Sequence, residues 1–444
     1  MNEKGIDQLI LYSEFANEAL VRKTCALFQW FISSKSGKAP IEPVLDRIEP
    51  LTYYEVQRGL LDARGRLPLG SGATVWQDYI ADLVCSADNA FSRLAERGAD
   101  DKQLWELAAE ELRVIKRLYH IDFGALAKAV EKKTGIRAGA ENIAGSRQPP
   151  GEGRSAERLR RIHAAFAAES EEEGVRLLAD SYRAFGSGTF AASAAFLWDG
   201  SLAPAPYDES VTMDSLIGYE RQKALLIENA ELLIAGLPAS NVLLYGDSGT
   251  GKSSSVKALL NVFADRGLKL ISLPKARLAE ITGAIDLISG RGLKFIVFID
   301  DLSFDEGENG YKAFKSAIEG RIEAANKNWI VCVTSNRRNI VKEVWKDRET
   351  QDDVHLRDNL QEKKSLADRF GLTIIYEAPD KNEYLGIVRG LAGRAGLALS
   401  SGELDEAALT WEIRHGGRSG RTAKGFVDHL YALEHKNNEG GQNE

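Results

Sequence analysis

The stretch Tyr245-Gly246-Asp247-Ser248-Gly249-Thr250-Gly251-Lys252-Ser253 lies between two segments of opposite periodicity. Before it, Val242, Leu243, Leu244 and Tyr245 form an apolar run that reads as a buried strand. After it, from Ser254 to Phe263, Val256, Leu259, Leu260 and Phe263 recur at helical spacing. Strand, Gly-rich loop and helix, in that order, restrict the chain to an α/β fold whose strand ends face a phosphate group. The glycines let the loop wrap with its N–H groups inward, and the following helix adds the positive end of its dipole. Lys252 then reaches the β- and γ-phosphates, and the Ser253 hydroxyl completes a Mg²⁺ shell.

Around this loop the period alternates between short apolar strands and helices, which predicts a parallel sheet covered on both faces. Five strands are expected: Asn241–Tyr245, Leu268–Leu273, Lys294–Ile299, Trp329–Thr334 and Leu372–Glu377. The third ends in Asp300-Asp301, where ligands sit in such sheets. Asp300 is the expected metal residue, and Asp301 the group that orients or deprotonates an attacking water. An acidic turn after a strand is common by itself; downstream of a phosphate loop it reads as functional. The acidic run continues through Asp305, Glu306 and Glu308, and Glu306 is an alternative base. The fourth strand leads into Val333-Thr334-Ser335-Asn336, which would place the Asn336 amide beside the γ-phosphate.

The rest of the chain is organised around this core. Residues 1–134 read as a helical N-terminal domain, with Trp30, Trp76 and Trp105 as core positions. Residues 135–154 form a linker or long loop centred on Arg147-Gln148-Pro149-Pro150-Gly151, and 155–206 a helical connector ending at Pro204 and Pro206. The α/β core spans 207–378, helices return over 379–435, and 436–444 is a polar tail expected to be disordered. At 444 residues such a division is ordinary.

A net charge of −8, spread over both halves, argues against a basic nucleic-acid platform. The three cysteines, Cys25, Cys85 and Cys332, are far apart in apolar patterns, which points to reduced core thiols rather than a disulfide or zinc framework. With no signal-like leader and no stretch approaching about 20 apolar residues, the expected compartment is the cytoplasm.

Taken in order, these elements resemble the AAA+ ATPase superfamily. Leu216-Ile217-Gly218-Tyr219-Glu220 is similar to the box that contacts adenine in that superfamily, so Leu216, Ile217 and Gly218 join Gly246 to Ser254 as expected nucleotide contacts. Asn336 falls in the sensor-one position. Ser365-Leu366-Ala367-Asp368-Arg369-Phe370-Gly371 stands where the superfamily carries its arginine finger, which makes Arg369 a catalytic residue acting from a neighbouring subunit. Gly416-Gly417-Arg418-Ser419-Gly420-Arg421 opens a C-terminal helix where the sensor-two arginine resides; Arg421 is favoured and Arg418 is the alternative. Arg337 and Arg338 are candidates for an interface or phosphate contact. More narrowly, YGDSGTGKSS, FIDDLSF, TSNRRN, SLADRFGL and GGRSGR resemble a family of uncharacterised bacterial AAA+ proteins, classed as a domain of unknown function, over Ser187 to Leu430.

The resemblance implies a core with a five-stranded parallel sheet, a C-terminal helical lid, ATP and Mg²⁺ as ligands, and ATP-dependent homo-oligomers. One departure stands out: the superfamily usually has glutamate after the metal aspartate, whereas this chain has Asp301, so slow hydrolysis is expected. Replication initiators in the superfamily resemble this double-aspartate pattern. Three roles follow: an ATPase that remodels an unknown protein partner through its N-terminal helices, an ATP-gated binding switch with negligible turnover, or a DNA-associated helicase-loader-like factor. Nucleic acid is the disfavoured partner class. Unfolding through a central pore is disfavoured too, because Leu278 to Gly292 offers Ile281-Thr282-Gly283 without the aromatic residue usual in such pore loops.

Overall fold

The computed structural model describes residues 5–35, 45–65, 67, 71–135, 143–147, 152–303, 314–316, 318, 328–336, 370–397 and 400–440. They divide into two compact units: Met1–Ser193 with Arg291–Leu293, and Ala194–Gly290 with Lys294–Glu444.

The first unit is helical, comprising among the described residues α1 (Glu14–Asn17), α2 (Ala19–Lys35), α3 (Leu45–Arg64), α4 (Val75–Ser86), α5 (Ala90–Glu96), α6 (Lys102–Tyr119), α7 (Phe123–Thr134), α8 (Arg154–Ala167) and α9 (Glu171–Phe185). Their apolar stripes close one core in which Trp30 and Trp76 are buried and Trp105 packs at the margin. Several polar groups inside that core are paired, which offsets the cost of their burial. The Trp76 indole N–H donates to the Leu118 carbonyl at 2.7 Å, and the Glu111 carboxylate accepts the N–H groups of Ile10, Leu11 and Tyr12. Arg291 meets the buried Glu96 carboxylate at 2.5 Å. From the expected linker, Ile143–Arg147 is built into the unit: Val75 and Trp76 donate to the carbonyls of Ser146 and Ala144.

The second unit holds the sheet. Its strands are β1 (Ala195–Trp198), β2 (Leu202–Ala205), β3 (Val242–Gly246), β4 (Leu268–Ser272), β5 (Lys294–Ile299), β6 (Trp329–Ser335) and β7 (Leu372–Tyr376), in the order β2-β1-β4-β5-β6-β3-β7. The sheet thus has seven strands, not the five expected. The two additional strands come from the stretch read as a helical connector. There Asp199-Gly200-Ser201 turns the chain into a hairpin, with β1 antiparallel to β2 and parallel to β4. The remaining pairs are parallel, and β5 and β6, covered on both faces, are apolar almost throughout.

Helices α10 (Glu220–Ile234), α11 (Lys252–Phe263) and α12 (Ile281–Ile288) belong with this sheet. Helices α13 (Lys381–Ala395), α14 (Ser401–Arg414) and α15 (Gly420–Gly440) close a separate small core around Tyr384, Val388, Ala408 and Phe426. Asp380 with Glu383 and Ser400 with Glu403 form capping boxes that start α13 and α14. The last helix runs to Gly440, past its expected end near 435; the final four residues lie outside the described ones. No helix among the described residues is long and apolar enough to cross a membrane.

Candidate functional site

Strand register assembles the site. β5 pairs with β6 so that Ile299 lies opposite Val333, and β3 pairs with β6 so that Tyr245 lies opposite Ser335. The next residues along each strand, Asp300, Thr334, Gly246 and Asn336, therefore emerge on one edge of the sheet. Inserting β3 between β6 and β7 puts the phosphate loop at that edge, where ligands of open α/β sheets bind.

The loop's shape comes from its glycines. Gly246 has φ 140°, and a Cβ there would lie 1.9 Å from the Tyr376 carbonyl oxygen, so β7 passes too close for any side chain. Asp247 continues the contact: its N–H donates to that carbonyl at 2.9 Å and its carboxylate accepts the Ala378 N–H at 2.7 Å. Gly246 and Asp247, two of the expected nucleotide contacts, consequently sit behind the cavity. The lining is taken up by Ser248 to Ser254.

Lys252 is buried, and its ammonium donates to the carbonyls of Gly246 (2.8 Å) and Asp247 (2.6 Å) and to Asn336 Oδ1 (3.0 Å). Burial lowers its pKa, opposed by the negative charges of Asp247, Asp301 and Asp300. Ser253 donates from its hydroxyl to Asp300 Oδ1 at 2.5 Å, which leaves the serine lone pairs to face a cation. Asp301 has a left-handed backbone, φ 51°, and its Oδ1 accepts the Asn336 amide at 2.7 Å. Thr334, which the sequence reading passed over in favour of Asn336, touches both aspartates. Its hydroxyl donates to Asp300 Oδ1 (2.6 Å) and accepts the Asp301 N–H (2.8 Å). The available signal was a polar residue closing an otherwise apolar strand.

Opposite the loop, Leu216, Ile217 and Gly218 line a cavity of about 450 Å³ together with Ile387, Leu391, Arg421 and Lys424. Ile217 packs into the small helical core, while Leu216 packs against the core of the sheet. Tyr219 adopts φ 59° at the start of α10 and donates its hydroxyl to the Glu377 carbonyl at 2.8 Å. Burial lifts its pKa to about 12, keeping it a donor at neutral pH. Beneath the box, the buried Lys223 ammonium donates to the carbonyls of Leu216 (2.7 Å) and Met213 (3.2 Å) and to Glu220 (2.7 Å). This residue too was missed; the Glu-x-x-Lys opening of α10 was its only trace.

The two C-terminal arginines separate. Arg421 lines the cavity, and its backbone N–H donates to the Gly249 carbonyl at 3.1 Å. Arg418 instead pairs with Glu412 at 2.8 Å, at the surface of the C-terminal helices. Arg369, Glu306, Arg337 and Arg338 lie outside the described residues. Among the described residues no three His, Cys, Asp or Glu side chains gather as a metal cage. Ser253 and Asp300, side by side, suit Mg²⁺, which takes few protein ligands and completes its shell with phosphate and water.

The family described as "Protein of unknown function (DUF815)" matches residues 191–434, more than half of the chain. The chain belongs to this DUF815 family. The loop, the paired aspartates and the strand order together make the second unit an α/β core with a phosphate-binding loop at its strand ends. No curated protein matches. Among solved structures, the Thermotoga maritima RuvB Holliday junction branch migration motor is similar at 16% identity, over 50% of this chain and 64% of that chain, with a TM-score of 0.34. Two variants of Thermotoga maritima RuvB are similar at 14% and 15% identity, over 50% and 52% of this chain and 64% and 68% of theirs, each with a TM-score of 0.35. The chain thus spans less than two thirds of the motor it matches first.

Proposed function

We propose that this DUF815 member binds ATP with Mg²⁺ and hydrolyses it slowly, as a cytoplasmic AAA+ remodelling factor that acts on a protein partner through its helical N-terminal unit. The observation that carries this reading is the convergence of Lys252, Ser253, Asp300, Asp301, Asn336 and Arg421 on one cavity also lined by the Leu216–Gly218 box.

In this reading Ser248 to Ser254 cradle the phosphates and the Leu216–Gly218 box receives the base. Ser253 and Asp300 would hold Mg²⁺, which would supply positive charge to offset the phosphates. Lys252 exchanges its carbonyl partners for the β- and γ-phosphates. Asp301 leaves Oδ2, the oxygen not engaged by Asn336, to take the proton of the attacking water as water oxygen bonds to the γ-phosphorus and ADP departs. Asn336 positions that water, and Arg421 contacts the phosphates from α15. The position of Arg369 in the superfamily pattern supports an arginine supplied by a neighbouring subunit, and hence an ATP-dependent homo-oligomer. Such arginines are worth roughly 10³-fold or more in rate.

A second reading is an ATP-gated switch with negligible turnover. It is favoured by Asn336, whose amide is committed at both ends: Oδ1 accepts from Lys252 and Nδ2 donates to Asp301. Nucleotide must undo that arrangement before Asn336 can position a water.

ATP turnover measured with light-scattering mass, for wild type, Lys252→Ala, Asp301→Asn and Arg369→Ala, separates the two. The ATPase reading expects turnover in wild type, no nucleotide binding in Lys252→Ala, and binding without turnover in the other two. A wild type that binds ATP without turnover, and whose mass follows nucleotide identity, establishes the switch. A wild type that binds no nucleotide overturns both.

A further inference from the structure

The phosphate machinery closes into a ring of hydrogen bonds. Lys252 donates to Asn336 Oδ1 (3.0 Å), Asn336 donates to Asp301 Oδ1 (2.7 Å), and the Asp301 N–H donates to Thr334 Oγ1 (2.8 Å). The Thr334 hydroxyl donates to Asp300 Oδ1 (2.6 Å), and the Ser253 hydroxyl donates to the same oxygen (2.5 Å). The ring starts and ends on chain neighbours, Lys252 and Ser253. Thr334, 1% exposed, is the member that bonds to both aspartates.

Given the nucleotide-binding role proposed above, we infer that Thr334 is a positioning residue, whose single hydroxyl aims Asp300 at Ser253 and holds Asp301 in its left-handed turn. The direction of these bonds follows from proton count. A hydroxyl has one proton and two lone pairs; the Asp301 N–H can only donate, so it takes a lone pair and leaves the proton for the Asp300 carboxylate. Asp301 needs such support, because a non-glycine residue at φ 51° persists only where its surroundings hold it there. Thr334 secures its backbone and Asn336 its side chain. A second tie, from the Leu302 N–H to the Thr334 carbonyl at 2.8 Å, is made by backbone alone and survives any substitution at 334.

Valine has the shape of threonine but forms neither hydroxyl bond, so Asp300 becomes free to rotate and the Asp301 N–H loses its acceptor. Serine keeps the hydroxyl. The test is binding of a fluorescent ATP analogue to the full chain, with and without Mg²⁺, for wild type, Thr334→Val, Thr334→Ser and Lys252→Ala. Circular dichroism melts follow each variant's fold, and turnover is measured at saturating nucleotide.

Thr334→Val is expected to match wild type in Mg²⁺-free binding, since the loop is untouched. It should lose roughly tenfold or more of the Mg²⁺-dependent gain, the scale of a hydrogen bond to a charged group, and turn over more slowly at saturation. Thr334→Ser should recover most of both. Full retention of the Mg²⁺ gain in Thr334→Val overturns the assignment, as does a serine variant that folds yet is as impaired as valine. If wild type and Lys252→Ala alike bind no nucleotide under either condition, the nucleotide reading itself fails and takes this role with it.

Discussion

Asp301 combines two costs that a stabilising substitution would remove. Its left-handed backbone is strained for any residue but glycine, by about 1 kcal/mol, and it follows another acidic residue, Asp300, in the chain. Asp301→Gly is therefore expected to raise the melting temperature of the nucleotide-free protein by about 2–4 °C and to abolish turnover, with nucleotide binding kept. Differential scanning calorimetry with a phosphate-release assay checks both halves; an unchanged or lowered melting temperature would show that the turn is not strained. The cysteines give a second residue-scale expectation. Burial pushes the thiols of Cys85 and Cys332 up to about 12, and all three cysteines are buried and outside any disulfide. At pH 8 a thiol with such a value is ionised in only about one molecule in 10⁴, and the thiolate is the reactive form. A thiol reagent at pH 8 should leave Cys85 and Cys332 unmodified in the native chain and label them after denaturation, as read by mass spectrometry.

At the scale of elements, the contact between the phosphate loop and β7 is the tightest constraint. Gly246→Ala would drive a methyl group into the Tyr376 carbonyl, which can be relieved only by parting β3 from β7. We expect a loss of about 1–3 kcal/mol or more in chemical denaturation, with loss of nucleotide binding, because Asp247 is tied to the same segment through the Ala378 N–H. Element legibility also differed sharply along the sheet. β3 to β6 were each readable because strands buried on both faces must be apolar runs, and Phe295 to Ile299 is such a run, whereas β7, at the sheet edge, alternates between buried and exposed positions. β1 and β2 were not readable. Each is four residues long, β2 carries Pro204, and alanines dilute the apolar signal. The Asp199-Gly200 pair between them was a hairpin signal that went unused.

At the scale of the whole molecule, the expectation concerns oligomers. If Arg369 completes the site of a neighbouring subunit, the specific turnover of wild type should rise with protein concentration, and Arg369→Ala should abolish turnover without changing nucleotide affinity. Mixing an excess of Arg369→Ala into wild type should depress activity beyond simple dilution. Turnover per chain that is independent of concentration, with Arg369→Ala as active as wild type, would exclude the trans arrangement.

The sequence alone determined the phosphate-binding loop and most of the strands. Phosphate loops, buried strands and helix stripes are local patterns, written in residues a few positions apart. It named Lys252, Ser253, Asp300, Asp301 and Asn336 because each stands in a motif or at a strand tip. The tertiary structure decided what depends on register and packing: that β1 and β2 extend the sheet, that Gly246 and Asp247 face β7 rather than the cavity, and that Arg421 lines the site while Arg418 pairs with Glu412. It also brought Thr334 between the two aspartates. Strand pairing joins residues dozens of positions apart, and no local pattern records which strand will lie beside which, so the hydrogen bonds that assemble the site became visible only once the sheet was in place.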